Sequence, residues 1–125
     1  MTTDRSVLVV DDDADVRECI KDALEVEGYR VTGAANGKDA LRLLKDDVVR
    51  PDIILLDIMM PEMDGWAFRA EQLKDPELAS IPVLVFTAYG SPKDVARELH
   101  TAGFLRKPLR LEELLSAIAG AVQGQ

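Results

Sequence analysis

The chain has 125 residues, 47% hydrophobic and 30% charged, which suits a single soluble α/β-sized domain spanning residues 1–125 around one core. With 15 basic against 23 acidic residues its formal net charge is -8, which argues against nonspecific binding to DNA, RNA or anionic membranes, since phosphate surfaces attract basic faces. The single cysteine, Cys19, has no internal partner and so points to a reducing, cytoplasmic setting, and no apolar run approaches the roughly 20 residues that span a bilayer.

Met1-Thr2-Thr3-Asp4-Arg5 leads into a short strand rather than a signal peptide. That strand, Val7-Leu8-Val9-Val10, runs into Asp11-Asp12-Asp13. Val16, Cys19, Ile20, Ala23 and Leu24 then recur at helical spacing, and Gly28 suits the helix's C-terminal end. Residues 30–34 form a weak strand, Asn36-Gly37 turns the chain, and Ala40, Leu41 and Leu44 mark a second helix. After Pro51, Ile53-Ile54-Leu55-Leu56 reads as a strand ending on Asp57. A third helix begins near Asp64-Gly65 and ends before Pro76. Pro82 opens Val83-Leu84-Val85-Phe86, which runs into Thr87. Ser91-Pro92 has the form of a cap and first helical position, with Val95, Ala96 and Leu99 as the apolar stripe. Gly103 leads into a short strand, Phe104-Leu105-Arg106, before Lys107-Pro108. Leu111, Leu114, Leu115, Ile118 and Val122 make the last helix amphipathic.

Strand and helix signals thus alternate five times, which predicts a doubly wound α/β fold with a parallel sheet of five strands covered by helices on both faces. The apolar runs are those of strands buried on both faces. In such sheets ligands bind outside the carboxyl ends of the strands, so the ends at Asp11-Asp12-Asp13, Asp57, Thr87 and Lys107 are expected to meet in one pocket. Carboxylates crowded there repel one another and call for a cation.

Four pieces, Val9-Val10-Asp11-Asp12-Asp13, the run from Leu55-Leu56-Asp57-Ile58-Met59-Met60-Pro61 to Glu62-Met63-Asp64-Gly65, Phe86-Thr87-Ala88 and Lys107-Pro108, together resemble the receiver domain of bacterial two-component response regulators. The resemblance extends from Val7 to Val122 and implies a flavodoxin-like strand order. It implies that Asp57 accepts a phosphoryl group as an acyl phosphate. It also implies Mg²⁺, held directly by Asp12, through water by Asp11, and by Asp57 and the backbone carbonyl of Met59. Two carboxylates, a carbonyl and retained waters suit the octahedral oxygen preference of that ion. Lys107 would pair with Asp57 and then with the phosphoryl, across a cis Lys107–Pro108 bond. Thr87 would hydrogen-bond a phosphoryl oxygen, and Phe104 stands where the family carries its aromatic switch. Phosphoryl transfer and autodephosphorylation would be self-catalysed, and the domain is not otherwise an enzyme. The implied partners are a sensor histidine kinase or histidine phosphotransfer protein and a downstream protein target, with the chain a stand-alone monomer or weak dimer.

Other readings compete at single residues. Asp13 suits an N-cap, and Asp57 alone could cap a turn. Asp11, Asp13 and Asp15 mimic the start of a calcium loop, but Val16 stands where that loop needs Gly and Asp22 where it needs Glu. A haloacid-dehalogenase-type phosphatase needs a second Asp two residues after the nucleophile, where Met59 stands. A flavin-binding flavodoxin needs a Ser/Thr/Gly phosphate loop where Asp11-Asp12-Asp13 would repel phosphate. A phosphorylation-independent adaptor of the same fold is the remaining alternative. Cys19 is expected in the core, His100 at a helix end in solvent, and Trp66 packed near a helix start. Met59 and Tyr89 occupy positions that modulate hydrolytic water in the family, and neither side chain orients a water through a carboxylate or amide, so slow dephosphorylation is expected. The segment 102–107 is about three residues shorter than in many receivers, which alters the surface that commonly binds targets.

Overall fold

Uninterrupted apolar strands need cover on both sides, and the computed structural model supplies it. Residues 5–46, 49–88 and 91–123 are described, with backbone alone at 92 and 123. In chain order the elements are β1 (Ser6–Val10), α1 (Ala14–Val26), β2 (Arg30–Ala34), α2 (Gly37–Lys45), β3 (Ile53–Leu56), α3 (Gly65–Lys74), α4 (Pro76–Ala79), β4 (Val83–Thr87), α5 (Pro92–Leu99), β5 (Gly103–Arg106) and α6 (Leu111–Gln123). The strands form one parallel sheet in the order β2-β1-β3-β4-β5. This is the five-stranded, doubly wound arrangement that the alternation predicts. Strand order reverses between β1 and β3, so a crevice opens at their carboxyl ends.

Period-2 alternation divides the core. Leu8, Val10, Ile54, Leu56, Val83 and Val85 face α2, α3, α4 and α5 through Leu44, Phe68, Leu78 and Leu99. Val7, Val9, Ile53, Leu55, Leu84 and Phe86 face α1 and α6 through Ile20, Leu24, Leu114 and Ile118. Central strands β1, β3 and β4 are buried along nearly their whole length, whereas the edge strands β2 and β5 are only partly covered. No helix among the described residues is long and apolar enough to cross a membrane.

Helix ends follow their side chains. Asp13, Asn36, Asp64 and Ser91 each accept a backbone N–H of the helix that follows, satisfying donors that have no intrahelical partner. Gly28 follows α1 with φ 94°, the left-handed conformation that glycine takes without a Cβ penalty. His100 ends α5 with φ 54° and is exposed, at the helix end where it is expected. Two expectations are corrected. The one-turn helix α4 stands where only a helix end is anticipated, because Asp75-Pro76 repeats the cap-and-proline form of Ser91-Pro92. Cys19 is exposed rather than buried. Ile20 and Leu24 take the buried stripe of α1, and Cys19 is turned aside onto the flank that faces Pro108 and Leu109.

Candidate functional site

The crevice at the switch point is built from strand ends. Asp57 leaves β3 with its N–H bonded to the Val10 carbonyl at 2.9 Å, which holds the ends of β3 and β1 together. Asp11 follows β1, fully buried, with its N–H on the Ala34 carbonyl. Its Oδ1 accepts the Asp13 N–H at 2.8 Å and its Oδ2 accepts Lys107 Nζ at 2.7 Å. Lys107 Nζ also reaches Asp57 Oδ2 at 3.3 Å. The Lys107 N–H bonds to the Thr87 carbonyl, locking the ends of β4 and β5 side by side, and the Lys107–Pro108 bond is cis, as the receiver resemblance implies.

One pocket of about 450 Å³ is lined by Asp11, Asp12, Asp13, Asp57, Met59, Thr87, Ala88 and Lys107. Carboxylate oxygens of Asp11, Asp12 and Asp57 lie within 4.8 Å of one another, with Asp12 exposed and the other two buried. Three carboxylates against one ammonium leave two negative charges in a small volume. Burial pushes the Asp57 carboxyl above the ordinary carboxylate range; Lys107 pulls it back, Asp11 pushes it further up, and the Met59 backbone N–H favours the charged form. Burial opposes the charge on Lys107, but the hydrogen bond to Asp11 and both neighbouring carboxylates hold its pKa above the ordinary lysine value. Hard oxygen donors carrying that net charge fit a divalent cation such as Mg²⁺.

The loop after β3 is held tightly. Glu62 takes φ 67°, a strained conformation for a side chain with Cβ, and Asn36 Nδ2 donates to its carboxylate at 3.1 Å. Gly65 packs so closely that a Cβ there would lie 2.9 Å from Ile58 Cα and 3.0 Å from the Asp57 carbonyl oxygen. The glycine after Asp64 is therefore a close-approach position, which lets α3 start against the Asp57 turn.

Of the residues singled out from the sequence, Asp11, Asp12, Asp57, Met59, Thr87 and Lys107 converge. Phe104 does not join them: it is 46% exposed on β5, in a separate depression with Ser91, Lys93, Leu105, Arg106 and Glu113. Trp66 packs at the rim of the core, Met59 is exposed, and Tyr89 lies outside the described residues. Three features escape the sequence reading, two at the site and one away from it. Arg17 donates from Nη1 to the Asp11 carbonyl at 2.6 Å, passing the bare Cα of Gly33. Phe86 lies with its ring centroid 5.0 Å from Lys107 Nζ. Arg69 and Gln72 form a buried polar network behind α5. The spacing of Asp11 and Arg17 and the alternation along β4 are the only signals for the first two; nothing local signals the third.

A doubly wound parallel sheet with clustered carboxylates and a lysine at its switch point defines a receiver-type α/β protein. The family model of the response regulator receiver domain matches residues 7–119, and the chain belongs to that family. Response regulator MprA of Mycolicibacterium vanbaalenii is 41% identical over 112 residues, covering 88% of this chain and 47% of that protein. Regulatory protein AtoC of Escherichia coli is 35% identical over 127 residues, covering 27% of its own length. The chain thus spans about half the length, or less, of these curated relatives. Among solved structures, the signal receiver domain of a signal transduction histidine kinase from Syntrophus aciditrophicus aligns at TM-score 0.83 and 35% identity, over 96% of this chain and 91% of that one. Chemotaxis response regulator CheY4 of Vibrio cholerae aligns at TM-score 0.83 and 32% identity, over 95% and 99%.

Proposed function

We propose that the chain is a phosphoacceptor signalling domain, taking a phosphoryl group on Asp57 from the phosphohistidine of a histidine kinase or phosphotransfer protein. The observation that carries this reading is the half-compensated carboxylate at the switch point, with Lys107, Asp11 and Asp12 around it. In the transfer, an Asp57 carboxylate oxygen bonds to phosphorus as the phosphorus–nitrogen bond of the donor breaks, and the donor imidazole keeps the electron pair. Lys107 stays cationic and exchanges an Asp57 oxygen for a phosphoryl oxygen. Thr87, buried at the end of β4 where it lines the pocket, offers its hydroxyl to another phosphoryl oxygen, and the backbone beside Ala88 is open to it because the side chain is small. Mg²⁺ would be held by Asp12, Asp57 and the Met59 carbonyl, with Asp11 reaching it through water; when bound it offsets the charge on the transferring phosphoryl. That Asp11 already uses both carboxylate oxygens on Asp13 and Lys107 supports the water-mediated role.

Phosphorylation would favour an active conformation already accessible to the free protein, with Thr87 drawn toward the phosphoryl and Phe104 turning inward from its exposed position. Output would then go through contact with a downstream protein. The test is intact mass after incubation with acetyl phosphate and Mg²⁺. Gain of one phosphoryl group by the wild type, lost with a chelator and in Asp57→Asn, is the expected result. A wild type that gains nothing from acetyl phosphate or from a phosphorylated kinase would refute it and leave a phosphorylation-independent adaptor.

A further inference from the structure

We propose that Phe86 is a positioning residue for phosphoryl acceptance, its ring forming the floor on which the Lys107 ammonium is held against Asp57 and Asp11. The inference rests on the phosphoacceptor reading of Asp57. An ammonium has three N–H donors and no acceptor. Two directions are taken by Asp11 Oδ2 at 2.7 Å and Asp57 Oδ2 at 3.3 Å. The Phe86 ring centroid stands 5.0 Å from the same nitrogen, inside the range in which the negative face of an aromatic ring attracts a cation.

Sheet geometry creates the contact. Phe86 pairs with Leu105 across β4 and β5, and both side chains enter the core under α1 and α6. Lys107 is two residues beyond Leu105, so period 2 sends its side chain to that same face. The Lys107 N–H bond to the Thr87 carbonyl holds its backbone one residue from Phe86. Phe86 is fully buried among Ile20, Leu105 and Leu114, so packing fixes the ring, whereas Lys107 is a flexible stem with a partly exposed head. A leucine would fill much of this volume but present no quadrupole. The ring has no lone pairs to draw donors away from the carboxylates. Its attraction is also weakly directional, so the ammonium can slide from an Asp57 oxygen to a phosphoryl oxygen without losing its floor.

The test replaces Phe86 with 4-fluoro- and pentafluorophenylalanine, which drain the quadrupole at nearly constant shape, and with leucine. The initial rate of phosphoryl gain from acetyl phosphate at saturating Mg²⁺ should fall progressively, by about fivefold at the pentafluoro ring, equivalent to about 1 kcal/mol. In a Lys107→Met background the residual rate should be flat across the series, an outcome a merely structural role for Phe86 does not produce. By proton NMR the Lys107 ε-methylene should be shifted upfield by the ring in the wild type and return in Phe86→Leu. Equal rates across the series in a wild type that does accept phosphoryl would overturn the proposal, as would an unshifted ε-methylene. If the wild type accepts none, the phosphoacceptor reading fails, and the ε-methylene shift alone then supports or overturns the ring's hold on the ammonium.

Discussion

Replacing Arg69 with methionine tests whether a buried guanidinium without a carboxylate stabilises this fold. Arg69 is 7% exposed on α3, and its Nε donates to the Leu99 carbonyl at 3.0 Å, Nη2 to the His100 carbonyl at 2.7 Å, and Nη1 to Gln72 Oε1 at 2.8 Å. Gln72 in turn donates to the carbonyls of Leu78 and Ile81. One charged side chain thus closes the C-terminal end of α5, where carbonyls carry the negative end of the helix dipole and His100 is left-handed. Burial lowers the Arg69 pKa, yet a guanidinium remains charged near neutrality. Methionine keeps the length and removes every donor. Two buried acceptors, the Leu99 carbonyl and Gln72 Oε1, then lose their partner at about 1–3 kcal/mol each, while water can replace the third. Relief of the guanidinium's desolvation offsets part of this. The expected net loss is about 3 kcal/mol, read as a lower urea midpoint at unchanged m-value. Amide exchange should accelerate first at Thr101, whose N–H closes on Ala96. A double-mutant cycle with Gln72→Leu should show coupling, because the pair shares a bond. An Arg69→Met variant within about 0.5 kcal/mol of wild type would refute the reasoning, since surface substitutions already scatter that far.

Gly65→Ala should destabilise by about 1–3 kcal/mol, because its Cβ meets Ile58 Cδ1 at 2.6 Å and also the backbone of Ile58 and Asp57, which cannot turn away as a side chain can, and it should slow acetyl phosphate labelling by displacing Asp57. Labelling at the wild-type rate would show that the Asp57 turn does not depend on the close approach. Asp57→Asn should raise Tm at pH 7 without Mg²⁺. The fold raises this carboxyl's pKa, so ionisation costs stability in full above the folded pKa, and the cost shrinks as pH falls through that value and is gone only below the unfolded one. The gap between variant and wild type should therefore close on acidification, and a gap that widens would reverse the sign assigned to burial. Met59 is exposed at the rim of the pocket and has no group to orient water, so the wild-type acyl phosphate should be long-lived. Met59→Asn should shorten its half-life by about tenfold, below the 10²–10⁴ of a full general base. A wild-type half-life of seconds without a phosphatase would exclude this account.

Alternation of buried strands with amphipathic helices is local information, and it was sufficient for the fold class and the strand ends, as turn chemistry was for the caps at Asp13 and Ser91. Residues carrying chemistry at those ends were equally legible, because a parallel sheet gathers the carboxyl ends of its strands by topology alone. Asp11, Asp57, Thr87 and Lys107 could be assigned to one pocket from that rule and from the receiver-like motifs around them. Tertiary structure decided what depends on side-chain direction across sequence-distant elements. It turned Cys19 out of the core, set Phe104 apart from the carboxylates, laid Lys107 over Phe86, and brought Arg69 of α3 to the carbonyls that end α5. A buried arginine has no apolar period to announce it. Besides Gln72 its partners are backbone carbonyls 30 and 31 residues away, and carbonyls are the one acceptor every residue carries, so only packing could select them.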